Sequence, residues 1–391
     1  MESSFVYLDY AAATPLDERV YAAMLPYLTE SYANPSALYE RAEKSRHEIE
    51  KSRAKISRIL QCNSRDVIFT SSGTEANNLA LFGIAEHHRQ SGASRTGHII
   101  TTKIEHSSVL EPARELERRG FAVTYLDVDA EGFVAVDDVA HAVRDDTMLV
   151  SIIYANNEIG IIQNIAEIGR VLSAYPKIVF HTDACQAANY LTLDMQELNV
   201  DAMTLNSSKI YGPKGVGALI IKDTISIAPR LFGGGQERGK RSGTENVAGI
   251  IGFAAALEMT QEIREEESAR LSLLRDNAIH ALLTKIPQSR LNGSAAVRLP
   301  NNINLSFEGV EGEALFVALH DKKIEVSAGS SCSEARPGPS HVIQALGVPE
   351  AWANSTLRVT LGRGTTEKDV QYLIEELPGI IEQIREDSPF V

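Results

Sequence analysis

"KIVFHTDACQAANYLTLDMQELNVDAMTLNSSKIYGPKGVGALII", residues 177–221, holds three short runs rich in apolar and β-branched residues. They are "KIVFHT" (177–182), "DAMTL" (201–205) and "VGALII" (216–221). None shows the apolar–polar alternation of a strand with one wet face. Each reads as a strand covered on both sides, as in a mostly parallel sheet flanked by helices. The first two run straight into polar residues, "DACQ" and "NSSKIYGPKG". In open α/β sheets ligands lie beyond the carboxyl ends of strands, so these are places to look for chemistry.

Four more runs of the same kind precede this stretch: "VIF" (67–69), "HIITT" (98–102), "AVTYLDV" (122–128) and "MLVSIIY" (148–154). The segments between them are long enough for crossover helices, for example 75–90 and 165–174. The expectation is an α/β domain with a mostly parallel, seven-stranded sheet. Residues 256–286 read as one long amphipathic helix that leaves it. Beyond lie short strands, "INLSF" (303–307), "IEVS" (324–327) and "LRVTL" (357–361), mixed with helices such as 366–385. These predict a smaller α+β domain. The expected division is 16–258 for the large domain, and 259–391 with 1–15 for the small one. No repeat or low-complexity linker separates them, so they should pack closely.

The chain has 391 residues, 43% of them hydrophobic and 23% charged, normal for a globular protein with a sizeable core. A net charge of −14 argues against tight, sequence-independent binding to nucleic acid or an anionic membrane, which needs a basic face. The start, "MESSFVYLDYAAATP", lacks the basic-then-apolar pattern of a secretory signal, and no apolar run is long enough to span a bilayer. Three scattered cysteines, Cys62, Cys185 and Cys332, make neither a disulfide framework nor a zinc site. A reducing, cytoplasmic setting is expected.

Candidate chemistry sits at the strand ends. After 67–69 comes "TSSGTEANN", where small residues and hydroxyls meet a helix start. Its backbone N–H groups and dipole can hold a phosphate, although an ordinary helix cap reads the same way. After 98–102 comes His106, in a setting where a lone histidine is more often structural. After 148–154 comes "ANNEIG", whose asparagines could cap a turn or touch a ligand. Asp183 and Gln186 follow 177–182, and a carboxylate at a strand end asks for a positive partner. Lys209 follows 201–205, as a turn lysine or as a desolvated, reactive amine. Singly each signal is weak. A phosphate cradle, an aromatic ring, a carboxylate and a lysine at successive strand ends are together the parts that hold pyridoxal 5′-phosphate. One more stretch stands apart: "SAGSSCSEARPGPS" (327–340) places Cys332 in a run with the composition of a mobile loop, as if the thiol were itself a reagent.

Read in order, "YLDYAAATP", "TSSGTEANN", "TTKIEH", "NNEIG", "HTDACQ", "KIYGPKGVG", "GGGQERGKRSGTENVAG", "SAGSSCSEA" and "LRVTLGRGTTEKDV" resemble the cysteine desulfurases, the NifS/IscS-like group of the class V aminotransferase superfamily. The resemblance covers nearly the whole chain. It implies a fold-type-I, pyridoxal-phosphate-dependent homodimer with active sites at the subunit interface. It also implies conversion of L-cysteine to L-alanine with the sulfur left on Cys332 as a persulfide. A sulfur-acceptor protein, a scaffold for iron–sulfur cluster assembly or a tRNA-thiolation relay, would then collect it. Carried over by position, Lys209 would bear the cofactor and later move protons, Asp183 would pair with the pyridinium nitrogen, and Gln186 would contact the ring oxygen. His106 would stack on the ring and assist proton transfer. Gly73 and Thr74 would bind the phosphate, with Thr244 reaching in from the partner subunit. Asn157, or less readily Asn156, would touch cofactor or substrate, and Arg358 would hold the substrate carboxylate.

One departure is visible. Where many members carry histidine just before the lysine, this chain has Asn206-Ser207-Ser208-Lys209. Ser208 and Asn206 can still donate hydrogen bonds to the phosphate, without the imidazole's charge. Cys185 and Cys62 receive no sulfur role. A selenocysteine lyase would share this chemistry. An ordinary aminotransferase has no need for Cys332, and a non-enzymatic cluster-assembly scaffold would bind no cofactor.

Overall fold

The structure, a computed structural model, describes residues 5–92, 96–327 and 338–387. Its strands, in chain order, begin with β1 (Val6–Tyr7), β2 (Val67–Thr70), β3 (His98–Thr102), β4 (Ala122–Leu126), β5 (Thr147–Ser151) and β6 (Val179–Asp183). They continue with β7 (Ala202–Asn206), β8 (Gly217–Ile221), β9 (Ser289–Leu291), β10 (Asn302–Phe307), β11 (Ile324–Glu325) and β12 (Thr356–Thr360). All seven strands expected between residues 67 and 221 are present and form one sheet, in the order β2-β8-β7-β6-β5-β3-β4. Pairing is parallel from β7 across to β4, and β8 alone runs antiparallel to both neighbours.

The strands β2, β3, β5 and β8 are buried at every residue, which is what unbroken apolar runs require. Two histidines within the sheet are satisfied across strands rather than free for chemistry. His98 bonds the hydroxyls of Thr147 and Thr124, both at 2.8 Å, and His181 bonds Ser151 at 2.9 Å and Thr204 at 3.0 Å. Burial pulls both imidazoles down to about 4, so they are neutral at pH 7.

The helix that follows β2, Gly73–Gln90, is fixed at its start by Ser72, whose hydroxyl accepts the Glu75 N–H, while Glu75 reaches back to the Ser71 N–H at 2.7 Å. It lays Ala76, Leu79, Ala80 and Ile84 into the core against the sheet. The two capping bonds fix the turn that joins β2 to the helix.

Residues 256–286 are not one helix. Two helices, Val247–Glu262 and Arg264–Lys285, meet at Ile263 (φ −103°, ψ 4°). They serve different partners: the first packs on the helices Glu18–Thr29 and Glu40–Ile59, the second on Glu367–Asp387. A break lets each apolar face find its own neighbour. Glu265, Glu266 and Glu267 then fall in the first turn of the second helix, where negative charge is favoured.

Towards the C-terminus, β9, β10 and β12 form an antiparallel sheet, and β1 pairs in parallel with β11. Single bridges, Asp9–Thr360 and Ser327–Arg358, tie this pair to β12. The short strands β1 and β9 carry no alternation that sequence reading could find. One apolar cluster runs unbroken from Phe69 and Val150 through Phe253 to Leu305 and Leu377, so the two groups of sheets share a core. Among the described residues no helix is long and apolar enough to cross a membrane.

Candidate active site

The carboxyl ends of β2, β3, β5, β6 and β7 open into a cavity of about 780 Å³. Gly73, Thr74, His106, Asn157, Asp183 and Gln186 line it, together with Asn206, Lys209 and Arg358. Nine of the residues singled out in the sequence thus converge, although Gly73 and Arg358 are 285 positions apart.

Asp183, the last residue of β6, is buried, and its carboxylate accepts the Cys185 N–H at 3.0 Å and the Asn77 amide at 2.6 Å. The same Asn77 nitrogen lies 2.8 Å from the Ser108 hydroxyl, which lies 2.7 Å from His106 Nδ1. Asn77 and Ser108 therefore join the carboxylate to the imidazole. Sequence reading missed both. Asn77 is one turn inside a helix, and only its full burial marks it as more than a surface amide. Burial lowers the His106 imidazole from its ordinary value, while Asp183 opposes the shift. His106 also caps its own helix, accepting the Ser108 N–H at Nδ1.

The Lys209 ammonium donates to the carbonyls of Ala11 at 2.9 Å and Ala12 at 2.5 Å. The Gln186 amide donates to the same Ala11 carbonyl at 2.9 Å. The "AAAT" segment is thus a wall of the cavity, and it holds the lysine there. Lys214, the nearest alternative amine, is exposed and donates to the Thr14 carbonyl outside the cavity.

At the helix start the chain packs too closely for side chains. A Cβ on Gly73 would meet Cys185 Sγ at 2.8 Å and Asn206 Cβ at 3.3 Å, and one on Gly217 would meet the Ser72 carbonyl carbon at 2.7 Å. Asn206 reaches toward Gly73 with its amide nitrogen, while its oxygen accepts from the Ser208 N–H and hydroxyl, each at 3.3 Å. Ser208 itself does not line the cavity. Burial pushes the half-buried Cys185 thiol well up, leaving it inert as a nucleophile.

On the far side, Arg358 is 2% exposed and donates to Asp9 at 2.7 Å and to the Asn157 carbonyl at 3.0 Å. Asn156 is fully buried and structural: its amide bonds the Ile104 carbonyl, and its oxygen accepts the N–H groups of Glu158 and Ile159. That leaves Asn157 facing the cavity. The wall is completed by Glu158, Ser340 and His341, none of which the sequence singled out. Thr244 is exposed and lies outside the cavity of its own chain, and Cys332 falls outside the described residues. Cys62 is half-buried and does not line the cavity, and burial pushes its thiol up to about 12. No group of three or more metal-ligating side chains occurs among the described residues.

The family model "Aminotransferase class-V" matches residues 6–373. A curated relative named "Cysteine desulfurase IscS" from Clostridium botulinum is 46% identical over 386 residues, covering 98% of this chain and 96% of its own. Among solved structures, a NifS-like protein superposes with a TM-score of 0.90 at 33% identity, covering 97% of this chain and 100% of that one. The structure titled "SspA in complex with cysteine" superposes with a TM-score of 0.80 at 35% identity, over 91% of this chain and 98% of that one. By family match, sequence and fold, the chain belongs to the aminotransferase class-V family, within its NifS- and IscS-like group.

Proposed function

We propose that this protein is a pyridoxal-phosphate-dependent cysteine desulfurase that converts L-cysteine to L-alanine and takes the sulfur onto Cys332. The observation that carries the reading is the convergence of Lys209, Asp183, His106 and the Gly73 helix start on one cavity. These residues fit the cofactor. The cavity offers a phosphate a helix N-terminus that backbone alone can approach. Asp183, buried and held by Asn77, offers a fixed negative charge to a pyridinium. Lys209 offers the amine.

Bound there, pyridoxal 5′-phosphate supplies the electron sink that labilises bonds at the substrate α-carbon. The chain supplies the rest. Gly73, Thr74 and Asn206 hold the phosphate, with Ser208 acting through Asn206 rather than directly. Gln186, Asn157 and His106 would hold the cofactor ring. Lys209, now bonded to the Ala11 and Ala12 carbonyls, would hold the cofactor through its amine and would move the substrate α-proton. Arg358 holds the substrate carboxylate, positioned by Asp9. The Cys332 thiolate attacks the substrate sulfur; the S–S bond forms as the Cβ–S bond breaks, and Cβ takes a proton to become the methyl group of alanine. Two copies form the working unit, with Thr244 of each completing the other's phosphate site. An acceptor protein for iron–sulfur cluster assembly or tRNA thiolation removes the persulfide sulfur. The names of the relatives support the substrate: they are called cysteine desulfurases, and one structural neighbour was solved with cysteine.

Purified protein loaded with the cofactor should absorb in the visible, and borohydride should trap the cofactor on Lys209. Lys209→Ala should lose the band. An adduct mapped to Lys214 would refute the assignment.

A further inference from the structure

Lys209 closes a single tight turn, Ser207–Lys209, and the chain leaves that turn through Tyr211 at φ 64°. A bulky L-residue rarely takes this left-handed conformation, and one that does is held there by its surroundings. Tyr211 is held from several directions. Its N–H donates to the Thr14 hydroxyl at 2.7 Å, its carbonyl accepts the Asp17 N–H at 3.0 Å, and its phenol oxygen accepts the Arg363 N–H at 2.7 Å. The Arg363 guanidinium lies over its ring, 4.0 Å from the centroid. The Ser207 carbonyl accepts the N–H groups of Ile210 and Gly212, both at 3.1 Å, and a Cβ on Gly212 would overlap the Ser207 hydroxyl.

Thr14, 2% exposed, crosses this turn. Its hydroxyl accepts from Tyr211, so its one proton goes to the Ser208 carbonyl at 3.1 Å, and its backbone N–H donates to the same carbonyl at 3.1 Å. Thr14 thus binds the backbone on both sides of Lys209. Just before it in the chain, the carbonyls of Ala11 and Ala12 receive the Lys209 ammonium. The two grips differ in one respect. A lysine nitrogen bonded to the cofactor's aldehyde carbon has at most one proton left, so its bonds to Ala11 and Ala12 cannot both persist. The bonds to Thr14 are made by the backbone of the turn, and they can.

We infer that Thr14 is a positioning residue for Lys209: its three bonds keep the turn in the strained form that presents the amine to the cofactor, whether or not the ammonium rests on Ala11 and Ala12. This rests on the reading of Lys209 as the residue that carries the cofactor. An amine held in place reacts as if at high concentration, and a free amine in solution must exceed that concentration to displace it. Loosening the turn lowers the concentration needed. In the exchange one amine leaves as the other enters, so nothing is oxidised or reduced.

The test is competition by methylamine. Cofactor-loaded protein is equilibrated with rising methylamine, reduced with borohydride and digested, and mass spectrometry reads the share of cofactor fixed on Lys209. Thr14→Val keeps the shape and loses both bonds of the hydroxyl, so half-displacement should need about 10-fold less methylamine than in the wild type. Thr14→Ser keeps the hydroxyl and should stay within about twofold of the wild type. Lys214→Met removes only the bond that reaches the Thr14 carbonyl from outside the cavity, and should match the wild type. A Thr14→Val protein with a lowered melting temperature but wild-type displacement would overturn the inference, as would Thr14→Ser displaced as readily as Thr14→Val. If Thr14→Val does not fold, Thr14→Ala, which leaves room for a water at the Tyr211 N–H, is read by the same criterion. Wild-type protein that fixes no cofactor on Lys209 would sink the reading of the lysine itself, and this inference with it; a failure confined to the Thr14 variants sinks this inference alone.

Discussion

Gly73→Ala places one methyl group where the helix start, the Cys185 turn and Asn206 meet. The new Cβ would stand 2.8 Å from Cys185 Sγ and 3.3 Å from Asn206 Cβ. The first distance is well inside van der Waals contact, and Sγ sits on a short side chain that cannot swing far. Overpacking of this kind costs about 1–3 kcal/mol. The strain is relieved by moving the helix start away from the Cys185 turn. That start is the proposed phosphate site, so the shift should appear as weaker cofactor binding. If all of it does, the dissociation constant rises roughly 5- to 150-fold. The Cys185→Ala change removes the nearer obstacle and leaves only the 3.3 Å approach to Asn206. The double variant should therefore recover most of the loss, with a coupling of about 1 kcal/mol or more. The assay is titration of apo-protein with pyridoxal 5′-phosphate, followed in the visible, for the wild type, both single variants and the double. An unchanged constant in Gly73→Ala would refute the close-packed cradle. Equal losses in the single Gly73→Ala and the double variant would refute Cys185 as the wall.

Burial raises the Glu105 carboxyl to about 8, against ~4.3 for an unfolded glutamate, so the folded state holds the extra proton between these values. Stability then falls as pH rises through that window, by up to ~1.4 kcal/mol per unit, and Glu105→Gln should flatten the fall in melting temperature between pH 5 and 8. Arg53 and Glu237 form a buried two-pronged pair at 2.8 and 2.9 Å, and Glu237 also accepts the Phe69 N–H. Glu237→Ala should destabilise by about 3–5 kcal/mol, because it leaves the buried guanidinium with only the exposed Glu50 as counter-charge, and Glu237→Gln should cost less; equal melting temperatures would contradict this. Mixed dimers of Lys209→Ala and Thr244→Ala subunits should recover about half of the activity of a normal dimer, since one site carries both lesions and the other neither. No recovery in verified heterodimers would place Thr244 outside the shared site.

Sheet strands were legible because burial on both faces writes unbroken apolar runs, and "HIITT" and "VGALII" need no partner to be recognised. The residues just beyond them were legible for a topological reason: the carboxyl edge of a parallel sheet gathers them wherever they fall in the chain. Asp183, Lys209 and His106 were found that way. Asn77, Glu158 and His341 were not. One sits within a helix, one in a turn already occupied by Asn156 and Asn157, and one at the start of a five-residue helix. Their roles depend on what tertiary packing sets opposite them. The break at Ile263 was hidden for a related reason. The sequence around it keeps helical composition, and only the separate partners of the two halves divide it. Ser208 was picked for its place next to Lys209; its hydroxyl lies 3.3 Å from the Asn206 side-chain oxygen, a contact the sequence did not announce.

The central claim is that sulfur leaves cysteine and arrives on one thiol. Cofactor-loaded protein mixed with one equivalent of L-cysteine, quenched and digested, should give a Cys332 peptide heavier by one sulfur atom and a matching amount of alanine. Cys62 and Cys185 should remain unmodified, and Cys332→Ser should keep the cofactor's visible band yet release little alanine. Alanine formed at the normal rate by Cys332→Ser, or sulfur found on Cys185, would contradict the account.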